Sequence, residues 1–240
     1  MLDLAATTHW PLTDFAMLAS APVAKLLDSL GLALGAHQVE LVDLHEAETA
    51  YVHHSLVPVA VVGYALVSPA FAKGRFPKFS FIDLIHKRPG MDEIEACALA
   101  AVCGVELTPP FWSNPEPFGL HLWTMIERYD LGAFFQRVDR PYGSRGEHYL
   151  MRPRGFDWVN PENPEIPGAL DQWRFDYRKL PPVRQLLVAT ILQLYFQSED
   201  EYWMTGRVPK KWHAAEGVEI LKANGALQDW ARLVALYPGW

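Results

Sequence analysis

The sequence predicts an α+β protein, with a mixed N-terminal part holding a small sheet and an all-helical C-terminal part. Three observations carry this reading. Pro182–Phe196 (PVRQLLVATILQLYF) is apolar over roughly two thirds of a helical wheel drawn at about 100° per residue. A helix apolar over so wide an arc is packed on several sides. Gln38–Leu44 and Val57–Val67 carry strand signals, the first an alternation and the second a continuous apolar run suited to an internal strand. Arg152–Gly168 holds Pro153, Pro161, Pro164 and Pro167 with Asn160 and Asn163, a composition that cannot continue a helix. The resulting division is a mixed domain over 1–152 and a helical one over 168–240, joined by 153–167, with one compact domain as the alternative.

In chain order, Thr13 or Asp14 caps a helix that Pro22 splits and that Gly31 or Gly35 ends, with Leu26, Leu27 and Leu30 on its apolar face. The strand Gln38–Leu44 follows, then Val57–Val67, where Pro58 belongs at the strand's beginning because a missing donor is tolerated there. Lys73–Lys78 reads as a basic loop. Phe79–His86 and Asp92–Cys103 read as helices, the second with Asp92 and Glu93 at its favourable N-terminal end and Gly104 as its stop. Thr108-Pro109-Pro110 and Asn114-Pro115-Glu116-Pro117 read as irregular chain, and His121–Phe135 resumes a helical pattern that breaks near Gly132. Leu122, Met125, Ile126 and Tyr129 share its face. Beyond the proline-rich stretch lie Pro182–Phe196 and two shorter helices, Ala214–Ala223 and Leu227–Leu236, separated by the stop signal Asn224-Gly225.

At 240 residues, half of them hydrophobic, the chain can bury a large core and is not a disordered one. Nine Trp and twelve Phe are many for this length, which suits both core and interface. A net charge of −7 argues against a protein that coats nucleic acid. The charge is segregated: Met1–Ala72 carries seven acids against one base, Lys25, whereas Lys73–Arg154 carries eleven bases against ten acids. Cys97 and Cys103 fall on one helix about 9 Å apart along the axis, too far for a disulfide. Two free thiols suit a reducing cytoplasm. The first twenty residues contain Asp3 and Asp14 and no Lys or Arg, unlike a secretory leader. Ser55–Ala72 approaches the length of a spanning helix, but Pro58, Gly63 and Pro69 interrupt it and its Val-rich middle favours strand. No membrane contact is expected.

Two clusters bear chemistry. The stretch Arg137–Arg154 (RVDRPYGSRGEHYLMRPR) interleaves Arg137, Arg140, Arg145, Arg152 and Arg154 with Tyr142 and Tyr149, against only Asp139 and Glu147. Guanidinium groups fork onto carboxylates and phosphates, tyrosine rings stack on planar groups, and Gly143 and Gly146 admit an anion close to the backbone. These seven Arg and Tyr residues form the expected binding site, for an acidic protein face or a phosphate backbone. The second cluster is Asp43, His45, Glu46, Glu48, His53 and His54. Imidazole and carboxylate together suit zinc or iron, with His45 facing His53 or His54 across a hairpin and Glu48 completing a ligand set. The spacing is not HExxH, however.

Other constellations fail on inspection. Ser144, Glu147 and His148 lack the Gly-x-Ser-x-Gly setting of an exposed nucleophile. Cys103 lies among Ala100, Ala101 and Val102, an inert apolar setting. A helix-turn-helix over Glu95–Thr108 fails because the would-be recognition helix that follows, Thr108–Phe118, holds four prolines and no Lys or Arg. Arg207, Lys210, Lys211, Trp212 and His213 read as a loop that Trp212 anchors into the helical core. The functional expectation is a soluble, non-catalytic binding, accessory or inhibitor-type regulatory protein without a cofactor. Its expected partner is a protein or nucleoprotein, with no sequence-specific reading of DNA. The competing expectation is a metal-dependent, hydrolase-like enzyme using the cluster at 43–54.

Overall fold

The computed structural model describes residues 57–86, 88–139, 146–196, 203–204 and 212–239. The elements expected before residue 57, the Gln38–Leu44 strand among them, lie outside this set. The described chain is mostly helical, with a two-stranded antiparallel ladder near the middle of the sequence.

The first described element corrects an expectation: Val57–Val67 is a helix, α1, not an internal strand. Pro58 sits in its first turn, where the absent N–H leaves no bond unmade, and Pro69 opens the next helix, α2 (Pro69–Arg75). Both prolines are helix starts. Val57 through Ala65 are all buried, and a run buried on every side carries no periodicity that separates strand from helix. The helical penalty of Val is at most about 0.7 kcal/mol per residue, small enough for packing to decide.

Helix α3 (Phe81–His86) leads into a single 3-10 turn at Arg88–Gly90, and α4 spans Glu93–Val102. Its start is a capping box: Asp92 Oδ1 accepts from the Glu95 backbone N–H at 2.8 Å, and Glu95 Oε2 accepts from that of Asp92 at 2.9 Å. Gly104, at φ +79°, ends it in the left-handed conformation that glycine adopts without strain. Helix α5 (Glu116–Arg128) begins earlier than its periodicity suggests, because Pro115 and Pro117 flank and enter a first turn that tolerates them. Strand β1 (Phe135–Arg137) pairs with β2 (Met151–Pro153), setting Gln136 opposite Arg152. Helix α6 (Ala169–Lys179), unexpected from sequence, buries Leu170, Trp173 and Tyr177. The remaining helices are α7 (Pro182–Phe196), α8 (Ala214–Ala223) and α9 (Leu227–Leu236).

Helix α7 is buried from Leu186 through Tyr195. Its polar stripe is buried too. Thr190 Oγ1 donates to the Leu186 carbonyl at 2.8 Å and accepts from the Trp230 indole at 3.1 Å, while Gln193 Oε1 meets His86 Nε2. These bonds offset the cost of burying the polar atoms. Helix α8 packs on α1, α2, α3 and α7, and α9 packs on α4, α5 and α7. One apolar core thus takes side chains from Val57 to Tyr237, from both sides of the proline-rich stretch. The two halves also exchange backbone bonds, Phe81 N–H to the Trp212 carbonyl at 2.8 Å and Ala214 N–H to that of Phe79 at 3.0 Å. His213 locks the junction: Nδ1 accepts from Ala215 N–H, so Nε2 carries the proton it donates to the Phe76 carbonyl at 2.6 Å. No helix among the described residues is long and apolar enough to cross a membrane.

Candidate functional site

The β1–β2 ladder closes the base of the arginine-rich stretch and fixes what each of its described side chains does. Arg137 is half exposed, and its Nη1 lies 2.7 Å from Glu147 Oε2, with Nε donating to Asp139 Oδ1 at 3.2 Å. Arg154 is exposed and donates from Nε to the Gly132 carbonyl at 2.9 Å. Arg152, in contrast, is buried. Its Nη1 donates to the carbonyls of Tyr149 and Met151 at 2.8 and 2.7 Å, and its guanidinium lies 5.9 Å from the Trp158 ring. Arg152 therefore holds the ladder from inside. Tyr149 is half buried against His148, ring centroids 3.9 Å apart. Arg140, Tyr142 and Arg145 lie outside the described residues, as do the metal-ligand candidates Asp43, His45, Glu46, Glu48, His53 and His54. Among the described residues no three His, Cys, Asp or Glu side chains gather as metal ligands would.

Behind the ladder lies a buried aromatic cluster that carries two polar side chains. His148 is fully buried, T-shaped against Phe118 at 5.4 Å, and neither of its ring nitrogens has a hydrogen-bond partner. Burial pushes its imidazole down to about 4, so the ring is neutral at pH 7. Glu147, one residue earlier, turns outward to Arg137, so the pair cannot work as base and orienting acid. Phe118 also meets Tyr237 at 5.3 Å, and Tyr195 packs on Tyr237 at 5.5 Å while its hydroxyl donates to the His148 carbonyl at 3.2 Å. Tyr237 in turn faces Arg88, whose guanidinium carbon lies 5.2 Å from that ring and 4.4 Å from Trp112.

Arg88 is 6% exposed. Its Nε donates to the Val234 carbonyl at 3.3 Å, and its Nη2 is buried without a partner. Burial lowers the guanidinium to about 10, and Tyr237 opposes that shift. Glu93, near in sequence, is committed elsewhere: its Oε1 accepts the backbone N–H groups of Phe111 and Trp112 at 3.0 and 2.5 Å. Sequence reasoning missed Arg88, Trp112 and Tyr237. Nothing in Lys87-Arg88-Pro89-Gly90 distinguishes a buried arginine from a surface one.

A separate open cleft of about 560 Å³ lies between α5 and α9, lined by Glu106, His121, Thr124, Arg128, Asp229 and Arg232 among others. Two of its charges, Arg128 and Asp229, pair with each other. Asp229 accepts from Arg128 at 2.7 Å and from the Tyr129 hydroxyl at 2.8 Å. His121 Nε2 meets the Asp229 carbonyl at 2.8 Å, and burial holds its imidazole below the usual range. The thiols are not activated. Burial pushes Cys103 up to about 12 and raises Cys97 as well.

Among the described residues the aromatics are mostly internal. Trp173, Trp203, Trp212 and Trp230 are buried, and the Trp158 and Trp203 indoles donate to the Pro153 and Arg154 carbonyls at 2.6 and 2.9 Å beside the ladder. In comparisons with known proteins, the chain matches no protein-family model, no curated protein and no solved structure.

Proposed function

We propose that the protein is a non-catalytic binding or regulatory protein that engages an acidic protein surface through the arginine-rich stretch Arg137–Arg154. The observation that supports this most is the closure of the stretch by the β1–β2 ladder. Pairing of Gln136 with Arg152 brings its two ends together, with Arg137 and Arg154 exposed beside them. The described ends of the stretch thus present Arg137 and Arg154 side by side at the surface. The local pairs of Arg137 with Glu147 and Asp139 are exposed ones, worth about 0–1 kcal/mol each. They yield readily to a partner's carboxylates. A concentrated patch of this kind gains association rate and specificity from a complementary face.

The test uses the full chain and immobilised poly-L-glutamate as a stand-in for an acidic face. The wild type is retained and elutes with salt, while R137E/R145E elutes at clearly lower salt with an unchanged thermal midpoint. Arg152 is left intact because its guanidinium holds the ladder. No retention of the wild type, or equal retention of both, removes the proposal. Stronger retention on duplex DNA than on poly-L-glutamate moves it to a nucleic-acid partner.

A further inference from the structure

Arg88 is a formal charge in an apolar setting with nothing to neutralise it among the described residues. Its guanidinium lies between the Trp112 and Tyr237 rings, 94% of its surface is removed from water, and no carboxylate pairs with it among the described residues. The aromatic faces supply some attraction, but one backbone carbonyl on Nε leaves the terminal edge unserved. Nη2 is buried and unpartnered, and Nη1, which has no hydrogen bond among the described residues, retains access to solvent. Buried ions in folded proteins are paired as a rule, because an isolated one forfeits its hydration. An arginine left open at its fork retains N–H groups that can donate to an anion.

We propose that the terminal edge of Arg88 binds the carboxylate of a small organic monoacid, at a site separate from the arginine-rich stretch. Three features select that chemistry. The Nη1–Nη2 edge of a guanidinium matches the two oxygens of a carboxylate in a parallel, bidentate pair. Charge balance favours a monoanion, since one guanidinium in dry surroundings is neutralised by one negative charge and overmatched by a phosphate dianion. A second donor is at hand. The Tyr237 ring centroid lies 5.2 Å from the Arg88 guanidinium carbon, and its hydroxyl makes no hydrogen bond among the described residues. The body of the ligand is apolar or aromatic, because the rings nearest the Arg88 guanidinium are those of Trp112 and Tyr237. Access is short: Trp112, Pro238 and Gly239 are half buried and Gly90 is exposed. The site thus lies directly beneath the surface.

The experiment titrates the full chain by calorimetry with sodium benzoate, with benzamide as its uncharged isostere and inorganic phosphate as the dianion. Benzoate binds saturably at one site per chain, and benzamide and phosphate bind at least about tenfold more weakly, a difference worth about 1.4 kcal/mol. R88M keeps the apolar stem, removes the charge and loses benzoate binding. Its thermal midpoint without ligand equals or exceeds that of the wild type, since an unpaired buried charge has been removed. If R88M does not fold, R88K retains charge without the fork and Y237F retains the ring without the hydroxyl, and each weakens benzoate roughly tenfold. Undiminished binding in any variant overturns the proposal. So does equal binding of benzamide, or an absence of benzoate binding to the wild type. Because Arg137 and Arg145 play no part in it, benzoate binding persists in R137E/R145E whether or not the acidic-surface reading survives.

Discussion

His148 shows how a single residue couples the interior to pH. Its ring is buried beside Phe118 and Tyr149, and neither ring nitrogen has a partner among the described residues to stabilise a positive charge. In the unfolded chain the imidazole titrates near 6.5, and in the fold it is pushed down to about 4. The folded state therefore binds fewer protons across that interval. The contribution is complete above about pH 6.5, falls as pH drops towards 4, and falls no further below. H148F keeps an aromatic ring and removes the proton site. The urea midpoint of the wild type should drop between pH 7 and pH 4.5 by more than that of H148F, a difference of roughly 2 kcal/mol. Parallel pH curves for the two proteins would mean that His148 is hydrated or paired. Gly217 offers a steric test at the same scale. A Cβ there would collide with the Phe81 ring, reaching within 2.8 Å of Cγ, whereas one at Gly132 meets nothing within 4 Å. G217A should cost about 1–3 kcal/mol, as overpacking does, and G132A should change the denaturation midpoint little. Equal midpoints for both would show that α8 can move away from Phe81.

At the scale of elements, α7 is the organising helix, and large-to-small changes along it measure this directly. Leu187 and Leu192 are fully buried, so L187A and L192A should each destabilise by about 2–5 kcal/mol in equilibrium unfolding. Val183 is only half buried, and V183A should cost less than either. A midpoint unchanged in both leucine variants would place α7 at the surface. This helix was legible because its apolar arc is wide, and α4, α8 and α9 were legible because caps and stops frame them: the Asp92 box, Gly104 and Asn224-Gly225. Helices α1 and α6 are among the elements that were not legible. The apolar run of α1 has no polar face to reveal its period, and the strand propensity of its valines pointed the wrong way. In α6 the spacing of Leu170, Trp173 and Tyr177 was present but masked by six charged or amide residues, most of which face outward or bond locally. The candidate sites divide similarly. Arginine density can be read along a chain, but whether a given guanidinium points out, like that of Arg137, or in, like those of Arg88 and Arg152, is decided by tertiary packing.

For the whole molecule the open question is whether the proline-rich stretch separates two folding units or merely crosses the surface of one. Sequence composition favours separation at 153–167. Val159 and Ile166 are exposed, and the stretch makes its own short-range bonds, such as Asp157 N–H to the Pro164 carbonyl at 3.0 Å. Packing argues the other way. Helix α8 lies on α1, α2 and α3, and α9 lies on α4 and α5, so each partner of these contacts comes from the other side of the stretch. Trp230 of α9 is fully buried with its ring 5.6 Å from Phe81 of α3, and its indole bonds Thr190 of α7. Removing either half would expose a large apolar face of the other, at about 25 cal/mol for each Å². With the core shared across the stretch in this way, unfolding should be one cooperative event. In urea, circular dichroism and tryptophan fluorescence should give coincident curves with one midpoint, and L187A should shift both together. Hydrogen exchange should find the same opening free energy for amides in α4 and in α9. Two separated transitions, or an L187A effect confined to the C-terminal amides, would establish the division at 153–167 instead.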